Sequence, residues 1–317
     1  MKYIEAFREG EKITGVYLCK SKSSAVTKNG KPYDSALLQD KTGTVDAKIW
    51  DPNSLGIDDF EAMDYVDIVA DVIVFNGVTQ LNVKRIRRAG EGEYDPKDYL
   101  PVSGKNIDDM FSELTKYIVS VENQYLKELL NKFFVEDKEF AKKFKTHSAA
   151  KSVHHGFMGG LLEHTLSVVK LCDFYVTIYP MMNRDLLLTA AMLHDIGKID
   201  EIADFPVNDY TDDGNLLGHI VMGSEKVGRM ADLIENFPGR LKSQLQHCIL
   251  SHHGELEYGS PKKPALMEAV ALNYADNTDA KLETIKEILS SSKEQQEGSQ
   301  WLGYNRLFES NIRKTVW

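Results

Sequence analysis

A two-part α+β chain is predicted: a small five-stranded β-barrel followed by an all-α domain. Three observations predict it. Residues 12–88 alternate apolar and polar positions between turn dipeptides, residues 89–105 carry Gly, Pro and charge without period, and from residue 106 the apolar spacing changes to three and four. A length of 317 residues suits two domains, and 42% hydrophobic with 27% charged residues is ordinary globular composition, far from a disordered or fibrous chain. The expected boundaries are 1–88 for the barrel, 89–105 for a linker and 106–317 for the helices.

In the first part, Ile13 to Cys19 alternates, with Tyr17 and Cys19 on one side and Val16 and Leu18 on the other. Asn29-Gly30 marks a turn before a second strand from Tyr33 to Gln39, and Asp40 to Gly43 a turn before a third from Thr44 to Trp50. Asp51-Pro52 breaks that strand, and residues 53–62 read as a short helix or loop. Val66 to Phe75 and Val78 to Ile86 form a hairpin about Asn76-Gly77. Five strands interrupted after the third fit the Greek-key barrel called the OB-fold, a common binder of single-stranded nucleic acid or oligosaccharide.

The net charge of −10 argues against a nucleic-acid binder, but its distribution does not. Residues 12–48 hold seven lysines against three aspartates, and Lys84, Arg85, Arg87 and Arg88 follow close together. A barrel of this kind holds a strand by stacking bases on aromatics and tracking phosphates with cations. The candidates are Tyr17, Lys20, Tyr33, Lys48, Trp50, Phe75, Lys84 and Arg85, with the barrel core as the competing role for each aromatic.

Past the linker, Asn106 reads as an N-cap with Asp108 and Asp109 in the first turn. Met110, Phe111, Leu114, Tyr117 and Ile118 then form an apolar stripe, and further helices are expected near 122–134, 136–145, 160–178, 185–195, 218–236, 239–251 and 264–291. Five of them carry an imidazole or carboxylate at a core-facing or terminal position: His164, His194-Asp195, His219, His252-His253 and Asp276. Gly197 is placed to let the chain turn out of the helix ending at His194-Asp195. Burying that many polar groups is costly unless something compensates them. A pair of divalent cations does so, because imidazole and carboxylate suit Mn, Fe, Co, Ni or Zn and a helical core is where such sites are built.

The order His164, His194-Asp195, Asp276 is similar to the HD phosphohydrolase superfamily, and His219 with His252-His253 resembles its two-metal branch. With an OB-fold in front, the chain resembles, over nearly its whole length, the YhaM-type 3′–5′ exoribonucleases. The stretches His155 to His164 and Ala191 to Lys198 carry most of that likeness. Relatives that cleave cyclic di-GMP follow their His-His with a Gly-Tyr-Pro element, which is missing after His252-His253 here.

The resemblance implies hydrolysis of single-stranded RNA, with single-stranded DNA as a further substrate, to nucleoside 5′-monophosphates by a two-metal mechanism, the metal being Mn²⁺ before Fe, Co, Ni or Zn. It implies His164, His194, Asp195 and Asp276 around one ion. Asp195 would bridge to a second ion held by His219, His252 and His253, with the choice between the last two open. Lys198 would aim an ammonium at the phosphate. Lys151, His154 and His155 either meet the terminal nucleotide or form a capping turn. A homo-oligomer is left open.

Two other classes fit the same residues: a phosphohydrolase of free nucleotides with a regulatory barrel, and a strand-binding protein whose helices only scaffold. The tail from Trp301 to Trp317 mixes aromatics with Arg306, Arg313 and Lys314; it either covers the site, touches a neighbouring subunit or packs on its own domain. No apolar run approaches the length of a membrane helix, the first residues lack a signal-peptide core, and Cys19, Cys172 and Cys248 have no disulfide or zinc spacing. A cytoplasmic protein with no membrane partner is expected.

Overall fold

The computed structural model describes residues 1–27, 29–100, 102–151, 155–291 and 300–315 and divides into two compact units, Met1–Pro101 and Val102–Trp317. In the first, β1 (Lys12–Val26), β2 (Pro32–Asp40), β3 (Gly43–Ile49), β4 (Tyr65–Phe75) and β5 (Val78–Arg88) close into a barrel in the order β1-β2-β3-β5-β4. Strand β1 is long enough to serve two neighbours: residues 12–18 pair with β4, and residues 18–26 with β2 across a bulge at Lys20. The parallel pairing of Asp46–Lys48 with Gln80–Asn82 closes the ring, which is the Greek-key closure of an OB-fold. Alternation puts Ile13, Leu38, Val45, Ala47, Ile68, Val72 and Leu81 inside.

Tyr17 belongs to that interior. It is 0% exposed and its hydroxyl donates to the Lys2 carbonyl at 2.6 Å, so it is a core residue and not a stacking platform. Residues 53–62 form turns without a helix; Phe60 is buried, with the Lys22 ammonium over its ring. Nor is the expected linker free over its first part. Tyr94 stacks on Tyr65 at 3.7 Å, Tyr99 and Leu100 are buried, and the Asp95 side chain caps the short turn Pro96–Asp98. Those apolar side chains outweigh the loop-like composition.

The second unit is helical: α1 (Ile107–Ser120), α2 (Gln124–Asn131), a wider π-type turn at Lys132–Glu136, α3 (Lys138–Thr146), α4 (Gly160–Ile178), α5 (Arg184–Leu193), α6 (Lys198–Glu201), α7 (Asp212–Asp232), α8 (Gly239–Leu250) and α9 (Met267–Ser291). A hairpin of β6 (Trp301–Asn305) and β7 (Ser310–Arg313) follows. The first helix starts where expected, the Asn106 side chain accepting from the Asp108 and Asp109 amides. Helix α7 begins six residues before its expected start, capped by Thr211, and kinks at Gly218, whose φ of 75° only glycine adopts freely. One apolar core runs through Leu114, Ile118, Phe133, Phe144, Leu162, Val169, Leu187, Met192, Val227, Ile249 and Leu272. Among the described residues, no helix is long and apolar enough to cross a membrane.

Replacing the capping Asn106 by Ala should destabilise the helical unit by about 1 kcal/mol, read as a lower urea midpoint of the far-UV circular dichroism signal.

Candidate metal centre

The centre is built around a buried carboxylate. Asp195 lies in the turn after α5 and is 2% exposed. Its two oxygens look in different directions. Oδ2 is 3.4 Å from Nε2 of both His164 and His194, while Oδ1 is 3.5 Å from Nε2 of His219 and 3.6 Å from Nε2 of His252. Asp276 Oδ1 joins the first group, 3.2 Å from His164 Nε2 and 3.9 Å from His194 Nε2. His253 joins the second, since one ring nitrogen of each of His219, His252 and His253 falls within 4.8 Å of the others. The Lys198 ammonium, 2.7 Å from Asp195 Oδ2, completes the set.

Every imidazole in these groups is held from behind. Nδ1 of His194 contacts the Ala191 carbonyl at 2.8 Å, and Nδ1 of His252 the Ile249 carbonyl at 2.7 Å. His253 Nδ1 contacts the Tyr258 carbonyl at 2.8 Å, His219 Nδ1 the Glu201 carboxylate at 2.9 Å, and His164 Nδ1 the Asp279 carboxylate at 2.7 Å. Carbonyls and carboxylates only accept, so each Nδ1 carries the proton and donates it. In the neutral ring the lone pair is then on Nε2, the atom facing Asp195, Asp276 or the neighbouring imidazoles. Glu201 also accepts from the His219 amide at 2.9 Å, and His155 Nε2 contacts Asp279 at 3.0 Å.

The charges follow. Burial pushes the Asp195 carboxyl up, but Lys198, His194 and His219 hold it well below the ordinary carboxylate range. Asp276 and Asp279 are likewise held low against burial, the first by His164 and the second by His155 and His164. Burial keeps His252 well below the imidazole range, helped by His253 and His194, and lowers His253 in the same way. His164 is the exception: burial lowers it, yet Asp276 and Asp279 lift it to about 10. Its surroundings demand positive charge.

Glycines let the elements meet. A Cβ on Gly197 would sit 2.0 Å from the His219 carbonyl oxygen and 2.7 Å from the Gly223 nitrogen, and one on Gly160 would sit 2.0 Å from the His155 carbonyl oxygen. Gly197 has helical φ −63° and ψ −22°, so its role is close approach to α7 and not the expected turn out of a helix.

Three sequence candidates need correction or fall outside. His155 is 1% exposed and its ring is engaged with Asp279. Lys151 pairs with Asp209 at 2.6 Å on the exposed surface, and His154 lies outside the described residues. On the barrel, Tyr33, Lys48 and Trp50 do gather on β2–β3: the rings of Tyr33 and Trp50 lie 5.2 Å apart, and Lys48 reaches the Tyr33 ring and Ser35. Phe75 is exposed at the β4–β5 hairpin, Lys84 is bulged out and paired with Asp71, Arg85 is exposed beside Gly56, and Lys20 is half-buried. Neither Glu201 nor Asp279 is among the predicted site residues; Asp279 shares the apolar face of Asp276 in the sequence pattern, and Glu201 stands three residues past Lys198, the signal available for each.

The 3′–5′ exoribonuclease YhaM of Geobacillus sp. (strain WCH70) is 35% identical over 293 residues, covering 92% of this chain and 89% of that protein. The chain belongs to the YhaM exoribonuclease family. A family model described as HD domain matches residues 161–281, the segment from α4 to α9 that carries every imidazole and carboxylate of the centre. Among solved structures, the second OB-fold domain of replication protein A from Methanococcus maripaludis matches 30% of this chain and 98% of its own, at 18% identity and a TM-score of 0.22. Family membership makes the chain a hydrolase with a metal-dependent domain.

The residues present fit a divalent cation. Asp195 Oδ1, His219 Nε2 and His252 Nε2 are buried without a hydrogen-bond partner, and Nε2 of His164 and His194 stand only 3.2 Å apart. Buried polar atoms left without a partner cost free energy that a cation recovers.

Asp279→Asn should weaken Mn²⁺ binding by roughly 10- to 100-fold in calorimetric titration, through loss of the carboxylate behind His164. Gly197→Ala should push α7 off the 194–201 turn, lowering both bound metal in elemental analysis and the melting temperature, with overpacking worth about 1–3 kcal/mol.

Proposed function

We propose that the chain is a metal-dependent 3′–5′ exoribonuclease releasing nucleoside 5′-monophosphates from single-stranded RNA, and from single-stranded DNA as a further substrate. The observation that carries the reading is Asp195, whose oxygens face two separate nitrogen sets while being shared by both. In this reading His164, His194, Asp195 and Asp276 hold one cation, and Asp195, His219, His252 and His253 the other. Both His252 and His253 are then ligands. Mn²⁺ is the proposed metal, consistent with an imidazole and carboxylate donor set. When bound, such a pair supplies a water nucleophile near neutral pH and relief of the charge growing on the phosphoryl oxygens.

The chain's own groups do the rest. Lys198 lines the same cleft as His164, His253 and Asp276; burial lowers its pKa, but Asp195, Asp276 and Glu201 together raise it, so it stays a cation beside the phosphate. Glu201 and Asp279 fix the rings of His219 and His164, so that little reorganisation remains when substrate arrives. Strand affinity comes from the barrel, where the Tyr33 and Trp50 rings beside Lys48 pair base stacking with phosphate attraction.

The test is 5′-labelled single-stranded RNA with Mn²⁺, run against His194→Ala/Asp195→Ala. A ladder shortening from the 3′ end, slowed about 10³-fold or more in the variant, is expected, because the metals supply several kcal/mol of the barrier. Phosphate release from mononucleotides alone, or strand retention without turnover, would overturn the reading.

A further inference from the structure

The cleft beside the metal centre extends beyond the groups that chemistry needs. Its volume is about 440 Å³, within the range of small-molecule sites. One part is lined by His164, Lys198, His253 and Asp276. The remainder is lined by uncharged groups that include Tyr258, Ala280 and Leu307. Those residues have no part in holding a cation or a phosphate.

Tyr258 ends a short 3₁₀ turn, Leu256–Tyr258, and is 70% exposed. Its carbonyl accepts from His253 Nδ1 at 2.8 Å, so the backbone that orients a candidate ligand also carries this ring. Leu307 arrives from far along the chain, in the turn between β6 and β7. There its amide donates to the Asn305 side chain at 2.9 Å, a local bond that shapes the turn, and the residue is 53% exposed. Ala280, on α9 four residues past Asp276, leaves room between them and the helix. Two large apolar side chains are thus kept wet at the edge of a polar cleft. Solvated apolar surface of this kind is favourable to cover.

Resting on the exoribonuclease reading, the geometry points to Tyr258 and Leu307 as the surface that receives the nucleobase of the 3′-terminal nucleotide while its phosphate lies at the metal centre. An aromatic ring and a branched aliphatic recognise the π-face that every base has, and neither reads a base edge. The subsite therefore takes all four bases, as an enzyme that shortens a strand one nucleotide at a time requires. It also gives the C-terminal hairpin a task, since Leu307 is its contribution to the cleft.

Equilibrium binding tests the subsite apart from turnover. 2-Aminopurine riboside 5′-monophosphate, whose fluorescence falls on stacking, is titrated with Mg²⁺ into the full chain, Tyr258→Ala, Tyr258→Phe and Leu307→Ala. Quenching in the unaltered protein and in Tyr258→Phe is expected, with affinity lowered between about 5-fold and 100-fold in Tyr258→Ala, the span of one base–aromatic stack. Leu307→Ala should weaken binding by less.

A second arm uses RNA with an abasic 3′-terminal nucleotide. The unaltered protein should show a raised KM on this end with a much smaller change in kcat, and Tyr258→Ala should no longer distinguish it from a normal end. Equal quenching in Tyr258→Ala, or equal KM for both ends in the unaltered protein, overturns the subsite and leaves the exonuclease reading standing. Absence of mononucleotide release from any RNA overturns that reading, while the fluorescence titration still decides the subsite.

Discussion

A single constraint organises the helical unit: the Asp195 carboxylate is buried and must be surrounded by donors or cations. A lone carboxylate in such a place costs several kcal/mol and would take up a proton. Here Lys198 at 2.7 Å and four imidazole nitrogens within 3.6 Å keep it ionised. Those partners come from α4, the turn after α5, α6, α7 and the turn after α8. Segments spread from residue 164 to residue 252 are therefore committed to one point, and the glycines at 160, 197 and 218 are the concessions in backbone that let them converge.

The partners reach that point by a device used twice. Helices α5 and α8 both end just before a histidine, and in each the ring donates from Nδ1 to the carbonyl three residues back. Carbonyls near a helix C-terminus lack the usual i+4 amide partner, and the imidazole gives one of them a donor. That bond sets the tautomer and turns Nε2 toward the centre. His219 and His164 lie within α7 and α4, and there the Glu201 and Asp279 carboxylates accept from Nδ1 instead. The outer carboxylates are thus substitutes for a backbone group, supplied where the helix geometry does not supply it.

This division explains what the sequence shows and what it hides. Strands and helices are legible because burial follows periods of two and of 3.6, and the histidine set because imidazoles on apolar faces are costly and so conspicuous. Alternation does not say which face is inside, so Tyr17 reads as core or platform, core being the commoner place for a strand aromatic, until Leu38, Ile68 and Leu81 are seen to share its interior. Residues 89–100 look like a linker because Gly, Pro and charge dominate, although Tyr94, Tyr99 and Leu100 carry the packing. Gly197 is visible as a glycine, but its reason is the carbonyl of His219, which only the folded chain brings near. Asp279 and Glu201 are hidden because their partners are tertiary.

The acidic balance of the centre bears on how it meets a polyanion. Asp195, Asp276, Asp279 and Glu201 stand near the cleft against the Lys198 ammonium and the His164 imidazolium, both already paired with carboxylates. A phosphate brought within about 4 Å of an uncompensated carboxylate meets a repulsion of roughly 4 kcal/mol in surroundings of intermediate polarity. Base stacking worth about 1–3 kcal/mol does not overcome several such terms. In the proposed reading, strand binding at the centre would depend on divalent charge held by the imidazoles, and the lysine-bearing surface of the barrel, with its Tyr33 and Trp50 rings, would supply affinity independent of that charge. Electrostatics favours that proposed separation of tasks into two units: a carboxylate-rich centre is a poor place to hold RNA by itself.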